Sequence, residues 1–160
     1  MSLVILLDAG PLSLVTNPKG SEESRLCKEW LAELVAADMR VMVPEGADYE
    51  VRRELFRAGR RGGLDRLDKL SRQAGYLPVT MAVWRRAAEL WALARNEGYA
   101  TADDTALDCD MILAAQALLV AEGGFDVIVA TRNLGHLGHF IDAREWETII
   151  PNQSGGMPVP

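Results

Sequence analysis

Short apolar runs alternate with longer segments of helical periodicity along most of this chain. The predicted strands are residues 3–7, 41–43, 77–79, 127–130 and 148–150. Alternating strands and helices are typical of a mostly parallel sheet covered by helices, because a crossover helix returns the chain to the same edge of the sheet. The pattern therefore predicts an α/β fold.

The helical segments carry apolar positions three and four residues apart. The predicted helices are residues 21–37, 45–57, 64–73, 81–98 and 108–120. Ser21 and Thr80 are natural N-caps for two of them. In the fourth helix, Trp84 and Ala88 belong to the stripe that is expected to pack inward. Gly62 and Gly63 are expected to interrupt the helical pattern before the third helix begins. Residues 99–107 are polar and predict a loop.

The length of 160 residues fits one domain, which we assign to residues 1–150. Residues 151–160 contain three prolines and two glycines and predict a flexible tail. No apolar run approaches the roughly 18 residues of a membrane span, and no basic segment precedes the first run. We therefore expect a cytoplasmic protein with no membrane partner. Cys27 and Cys109 lack metal-ligand spacing and are expected to be ordinary reduced thiols.

Charge is unevenly distributed in a chain whose net charge is -6. Residues 52–72 hold eight of the 17 Lys and Arg residues, although the overall balance is acidic. A basic segment of this kind either forms a solvated helix face or follows a phosphate backbone. The sequence leaves both readings open.

Polar oxygen-bearing residues fall beside several predicted strand ends and helix starts. They are Asp8, Glu50, Asp108, Asp110, Thr131 and Asn133. Side chains at the carboxyl edge of a parallel sheet project into a crevice rather than into the core. Several hard oxygen ligands gathered there predict a site for Mg²⁺ or Mn²⁺.

Each of these residues also has a structural interpretation. Asp8 can form a turn or cap the next helix, and Asp108 is a natural N-cap that would place Asp110 in the first turn. Glu50 and Glu54 are one helical turn apart, so the sequence does not choose between them. Phosphotransferases with a nucleophilic aspartate commonly carry a second aspartate two positions later, but that position here is Gly10. A small-molecule phosphatase is therefore a weak alternative.

Other catalytic patterns are disfavoured. His136 and His139 have zinc-ligand spacing, but Gly135 and Gly138 argue against a helix there and no third nitrogen or sulfur ligand lies near. The chain also contains no glycine-rich phosphate loop of a common form and no serine or cysteine in a recognisable nucleophile setting.

Four segments, taken in order, carry a family resemblance. They are Asp8 after the first strand, Glu50 within residues 47–55, Asp110 within residues 110–117, and Thr131-Arg132-Asn133. With this ordered set, the chain resembles the PIN-domain ribonucleases from about residue 3 to residue 150. That family includes the toxin components of many bacterial toxin–antitoxin pairs.

The resemblance implies a three-layer α/β/α sandwich and a metal-dependent nuclease that cuts RNA, usually as a homodimer. Asp8, Glu50 and Asp110 match three acidic residues of the family's site, and Asn133 falls where many members carry a fourth acid. Asp108 could supply the missing charge, which is our inference and not the family's pattern. Thr131 would support the ligands without binding the ion.

Our interpretation of the sequence is therefore hydrolysis of RNA phosphodiester bonds, assisted by one or two Mg²⁺ or Mn²⁺ ions. An antitoxin protein is an expected partner. The residues expected to contact RNA are Arg52, Arg53, Arg57, Arg60 and Arg61. The main alternative is a module on the same fold that binds nucleic acid or protein and cuts nothing.

Overall fold

A five-stranded parallel sheet forms the centre of the protein in the computed structural model, which describes residues 2–17, 20–98, 103–135 and 137–151. The strands are β1 (Leu3–Leu7), β2 (Arg40–Pro44), β3 (Tyr76–Leu77), β4 (Asp126–Thr131) and β5 (Ala143–Glu145). Their order across the sheet is β3-β2-β1-β4-β5, and all four pairings are parallel. The predicted parallel α/β architecture is confirmed.

Helices cover both faces of this sheet. They are α1 (Ala9–Thr16), α2 (Glu22–Ala36), α3 (Glu45–Arg57), α4 (Arg61–Gln73), α5 (Met81–Asn96) and α6 (Asp104–Glu122), with 3₁₀ turns at Leu137–His139 and Trp146–Thr148. One buried cluster joins α1 to α4 to one face, and a second joins α5 and α6 to the other. The result is the three-layer α/β/α sandwich that the family resemblance implies.

Strand β1 lies at the middle of the sheet because its side chains are apolar on both faces. Ile5 and Leu7 belong to the cluster under α1 to α4, whereas Val4 and Leu6 belong to the cluster under α5 and α6. This alternation follows the two-residue period of a strand. A strand buried on both sides reads as a continuous apolar run, which is why its predicted bounds match the observed ones.

The predicted final strand at residues 148–150 is wrong. The fifth strand is Ala143–Glu145, and Thr148 ends a 3₁₀ turn. Ile149 is buried without pairing in the sheet, and its carbonyl accepts a hydrogen bond from the Trp30 indole at 2.8 Å. An apolar residue that is buried without joining the sheet gave a false strand signal.

The predicted start of the last helix is also wrong. Helix α6 begins at Asp104, and its N-cap is Asp103, whose side chain accepts a hydrogen bond from the Ala106 N–H at 2.8 Å. Asp108 therefore lies within the helix and is exposed, so it is not a cap. Residues 99–102 of the predicted loop and residues 152–160 of the predicted tail lie outside the described residues.

Two glycines and two residues of α5 do not lie as predicted. Helix α4 begins at Arg61, so Gly62 and Gly63 are helical rather than an interruption. A Cβ on Gly63 would meet the Leu55 side chain at 2.6 Å, so the missing side chain lets α4 approach α3 closely. On α5, Trp84 is 57% exposed and Ala88 is also exposed, although both were predicted to face inward.

In the described ranges, no helix combines the length and the apolar character needed to cross a bilayer.

An ion-pair cluster fastens α3 to α4 beside the sheet. Asp48 is only 4% exposed, and both of its carboxylate oxygens accept hydrogen bonds from Arg52, at 2.7 and 3.3 Å. The same guanidinium donates to Asp68 of α4 at 2.8 Å. A buried carboxylate needs such partners because water no longer solvates it. Arg52, predicted to contact RNA, is thus engaged in a structural pair.

We predict that Arg52→Ala lowers the free energy of unfolding by about 2–3 kcal/mol, because Asp48 would remain buried without its partner. Urea unfolding at pH 7 measures the change. Arg57→Ala is the matched control, since Arg57 pairs with Glu54 at the surface, and exposed pairs contribute below about 1 kcal/mol. Equal losses for the two variants would contradict a structural role for Arg52.

Candidate active site

Asp8 lies where β1 ends and α1 begins. Its backbone N–H donates to the Ala130 carbonyl at 2.9 Å, which continues the pairing of β1 with β4 by one residue. Its carboxylate accepts hydrogen bonds from the Ala9 N–H at 2.7 Å and from the Thr131 hydroxyl at 2.8 Å. Burial raises the pKa of Asp8, and these two hydrogen bonds act in the opposite direction. Asp8 is therefore both the N-cap of α1 and a half-buried carboxylate at the edge of the sheet.

Glu50 lies on α3 and is electrostatically coupled to Asp8. Burial is the main cause that raises the pKa of Glu50, and the charge of Asp8 raises it further. The Cys109 thiol donates a hydrogen bond to the Glu50 carboxylate, and the nearby Arg53 opposes the shift. By contrast, Glu54 pairs with Arg57 at 2.8 Å at the surface. The fold thus separates two glutamates that helical spacing alone could not distinguish.

Asp110 completes a cluster of three carboxylates from three elements. Its pKa is raised from 3.8 to about 7, first by burial and then by the charges of Asp8 and Glu50. Like charges at close range disfavour ionisation of one another, so a proton or a cation at this place would be stabilised. These three carboxylates form what we call the acidic cluster: Asp8, Glu50 and Asp110.

The acidic cluster is a group of coupled charges and not a finished metal cage. Across the described ranges, no three His, Cys, Asp or Glu side chains are already arranged as ligands of one ion. The donor chemistry nevertheless suits a hard cation, because Mg²⁺ usually binds through one or two carboxylates and keeps several waters. His136, one of the two histidines with zinc-ligand spacing, lies outside the described residues.

Thr131 and Asn133 form a tight turn behind Asp8. The Thr131 side chain is buried; its hydroxyl donates to Asp8 and accepts a hydrogen bond from the Asn133 N–H at 3.1 Å. The Asn133 side-chain oxygen accepts from the Gly135 N–H at 3.1 Å, and Asn133 is exposed. Asn133 is thus a turn residue in this structure, whereas Thr131 holds Asp8 directly.

Asp108 lies on a different side of α6 from Asp110. It lines apolar grooves with Trp84 and Ile112, between α6 and its neighbours. The two residues are separated by about 200° around a helix of 3.6 residues per turn. The structure therefore does not bring Asp108 together with the acidic cluster.

A basic groove of about 610 Å³ leads to Glu50. The groove lies between α3 with its following turn and α1 with Arg132, and its lining also includes the acidic residues Glu50 and Glu54. Four arginines line it, and we call it the arginine groove: Arg53, Arg57, Arg60 and Arg132. Of the five arginines predicted to bind RNA, Arg53, Arg57 and Arg60 line the groove, whereas Arg52 pairs with Asp48 and Arg61 is not among the lining residues.

Sequence reasoning missed two residues of this site. Cys109 is a free thiol, as expected, but the sequence did not show that it lies beside Glu50: burial, the charge of Glu50 and a hydrogen bond with that carboxylate raise the pKa of the thiol to about 12. Arg132 was not among the arginines predicted to contact RNA. Its place between Thr131 and Asn133, two residues of the predicted site, was the signal that could have identified it. For Cys109, the signal was its place next to Asp110.

Comparisons with known proteins bear on the fold. The chain is similar to the crystal structure of FitAcB from Neisseria gonorrhoeae (TM-score 0.64, 20% identity), with 91% of this chain and 99% of that chain covered. It is similar to VapBC2 from Rickettsia felis bound to a DNA fragment from the promoter (TM-score 0.66, 13% identity), with 89% and 98% covered. A third similar structure is VapBC-1 from nontypeable Haemophilus influenzae (TM-score 0.64, 12% identity), with 91% and 99% covered.

These likenesses extend over nearly the whole chain and confirm the expected fold. No protein-family model and no curated protein matches the sequence. The resemblance therefore lies in the course of the backbone more than in the sequence as a whole.

We predict that Asp110→Asn stabilises the protein in EDTA at pH 8 by about 1–2 kcal/mol, a value reduced by partial solvent screening. A carboxyl whose pKa rises from 3.8 unfolded to about 7 folded binds its proton more tightly in the folded state. The stabilisation of the folded state that this proton provides is complete below pH 3.8 and is lost as the pH rises toward 7. Melting temperatures at pH 5 and pH 8 measure the effect, and the gain from Asp110→Asn should be larger at pH 8.

Asp108→Asn is the control for this experiment, because Asp108 is an exposed carboxylate on the same helix. It should leave both melting temperatures close to those of the wild type. An equal gain from the two substitutions would contradict the separation of Asp108 from the acidic cluster.

Proposed function

We propose that this chain, which has the PIN-like fold, is a metal-dependent endoribonuclease. The observation that carries the proposal is the acidic cluster: three carboxylates from three separate elements lie at the carboxyl edge of a parallel sheet, and each has a raised pKa. Folding does not require this concentration of like charge. Such perturbed groups in a crevice are candidates for a functional site.

The residues of the cluster would divide the work by their surroundings. Asp8 is the most firmly held, because Thr131 and the backbone of Ala9 fix both carboxylate oxygens. Asp110 projects from a largely buried helix and the charge of Asp8 raises its pKa, while Cys109 lies beside Glu50. We propose Asp8 and Asp110 as the main ligands of Mg²⁺ or Mn²⁺, with Glu50 and Asn133 binding directly or through water.

The bound cation would supply charge stabilisation for in-line attack of water on the phosphodiester. Until it binds, the three carboxylates repel one another and would also repel the RNA backbone. Glu50, with its raised pKa and its place at the arginine groove, is suited to accept the proton of the attacking water. Asp108 is a weaker candidate for the fourth position, since it lies on the other side of α6.

The arginine groove supports RNA as the substrate. Arg53, Arg57 and Arg60 line the groove that reaches Glu50, although the net charge of the chain is -6. A polyanion is attracted to such a local concentration of positive charge, and the acidic remainder of the surface would disfavour binding elsewhere.

Partners follow from the resemblance to toxin components and from the likeness to FitAcB and the two VapBC structures. We propose that the chain acts as the toxin of a toxin–antitoxin pair in the cytoplasm, is held inactive by an antitoxin protein, and forms a homodimer. These features extend the proposal and are not needed for the chemistry of the site.

We predict that the purified protein cuts a labelled single-stranded RNA in Mn²⁺ or Mg²⁺ and not in EDTA. Asp8→Asn and Asp110→Asn should each lower the cleavage rate by about a hundredfold or more, because the cation's several kcal/mol of charge stabilisation would be lost. The same ions should raise the melting temperature of the wild type, and the double variant should lose this response.

Glu54→Gln is the matched control for Glu50→Gln, since the two glutamates are one helical turn apart and only Glu50 is coupled to Asp8. Glu54→Gln should leave kcat close to the wild-type value, with any effect confined to KM because Glu54 pairs with Arg57 in the groove, whereas Glu50→Gln should lower kcat strongly. Cleavage by Asp8→Asn at the wild-type rate would refute the site. RNA binding without cleavage in any of these ions would favour the alternative, a non-catalytic binding module.

We predict that Asn133→Asp tightens Mn²⁺ binding and that Asn133→Ala weakens it, as measured by calorimetry at fixed pH. An added carboxylate raises the ligand charge, which increases affinity for hard cations, and aspartate can still accept the hydrogen bond from Gly135. If both variants bind Mn²⁺ with unchanged affinity, Asn133 is a turn residue only and not a ligand of the ion.

A further inference from the structure

Arg132 lies beside the candidate active site, between Thr131 and Asn133 of the turn behind Asp8. Its neighbour Thr131 donates to Asp8, and its side chain lines the arginine groove opposite Arg57 and Arg60. The first three carbons of the Arg132 side chain lie across Gly10, close enough that a Cβ on Gly10 would come within 2.9 Å of the Arg132 Cβ. Gly10 therefore makes room for this arginine.

The guanidinium of Arg132 is presented as a fork. It donates two hydrogen bonds to the two carboxylate oxygens of Glu23 on α2, at 2.9 and 2.7 Å. Arg132 and Glu23 remain 53% and 41% exposed in this pair. A forked guanidinium fits two phosphate oxygens as well as it fits two carboxylate oxygens.

An exposed ion pair of this kind is weak and exchangeable, because water screens the attraction. The pair thus orients the Arg132 guanidinium and still allows it to exchange Glu23 for another anion. The Arg57–Glu54 pair also borders this groove, but it joins two residues of one helix, whereas the Arg132–Glu23 pair joins the end of β4 to α2.

We propose that Arg132 binds a phosphate of the RNA next to the one that is cut, exchanging Glu23 for two phosphate oxygens. With Arg53, Arg57 and Arg60 on the opposite wall, it gives the groove two positive sides, so that the RNA backbone passes between them toward the acidic cluster. This inference rests on the proposed function and adds to it a substrate-binding residue on α1's side of the groove.

The test compares Arg132→Ala, Arg132→Lys and Arg86→Ala in the Asp110→Asn background, where RNA remains intact. Arg86 is the matched control because it also forms a fork with a glutamate, Glu122, at 2.7 and 3.3 Å. Glu122 lies roughly 18 Å along α6 from Asp110, at 1.5 Å per residue. Anisotropy of a labelled single-stranded RNA, followed from about 50 to about 300 mM KCl, gives the salt dependence of binding.

Arg132→Ala should weaken binding about fivefold or more and lower the log–log salt slope by about 0.7, the value for one lost phosphate contact on a single strand. Arg132→Lys should keep the slope, because the charge remains, and lose part of the affinity, because the fork is gone. Arg86→Ala should match the parent. In the otherwise wild-type enzyme, Arg132→Ala should raise KM and leave kcat within about twofold.

Equal slopes for Arg132→Ala and Arg86→Ala would overturn the proposal and leave Arg132 as a surface residue that pairs with Glu23. A lysine variant whose slope falls as far as that of the alanine variant would also overturn it, since lost packing and not a lost phosphate contact would then explain the change. Either result would leave the proposed function intact. Failure of the proposed function is a separate outcome, seen if Asp8→Asn cuts RNA at the wild-type rate.

Discussion

The parallel pairing of β1 with β4 is the constraint on which the site depends. Its register places Leu7 beside Ala130, so that Asp8, which follows β1, lies beside Thr131, the last residue of β4. Because both strands are buried, a slip by one residue would move apolar side chains between the two faces and break both core clusters. The energy of core packing therefore fixes the distance between a carboxylate and a hydroxyl that are far apart in the sequence. Asp8 can be held in an unfavourable, half-buried position because the sheet determines where it lies.

The acidic cluster shows how a stable scaffold supports groups that do not stabilise it. Burial raises the pKa of all three carboxylates, and their mutual repulsion adds to the shift in Glu50 and Asp110. The Thr131 hydroxyl and the Cys109 thiol offset only part of this cost. The buried pair of Asp48 and Arg52 provides a contrast: there, a carboxylate on the same helix as Glu50 is fully matched by a guanidinium. Two acidic residues of α3 thus have opposite roles, one structural and one chemical.

The distribution of arginine matters more than the net charge. Arg52 neutralises buried Asp48, Arg53 lies over the Tyr49 ring with its guanidinium carbon 5.3 Å from the ring centroid, and Arg60 lines the groove. Neighbouring positions in one basic segment therefore contribute to folding, to local packing and to the surface of the groove. Arg132, which is distant in the sequence, joins that surface because β4 ends beside α1. A basic stretch in a sequence is thus a poor measure of the charge that a ligand meets.

The sequence by itself determined the class of fold and the carboxylates at its edge. The apolar run of β1 and the caps Ser21 and Thr80 are local signals, since burial on both faces and a capping hydrogen bond depend on adjacent residues. Only the tertiary structure decided that Glu50 and not Glu54 faces Asp8, that Asp108 points away, that Arg52 is structural, and that Cys109 and Arg132 belong to the site. These outcomes depend on which face of a helix packs against the sheet and on which strand ends are neighbours. Residues far apart along the chain set both, so no local pattern contains the answer.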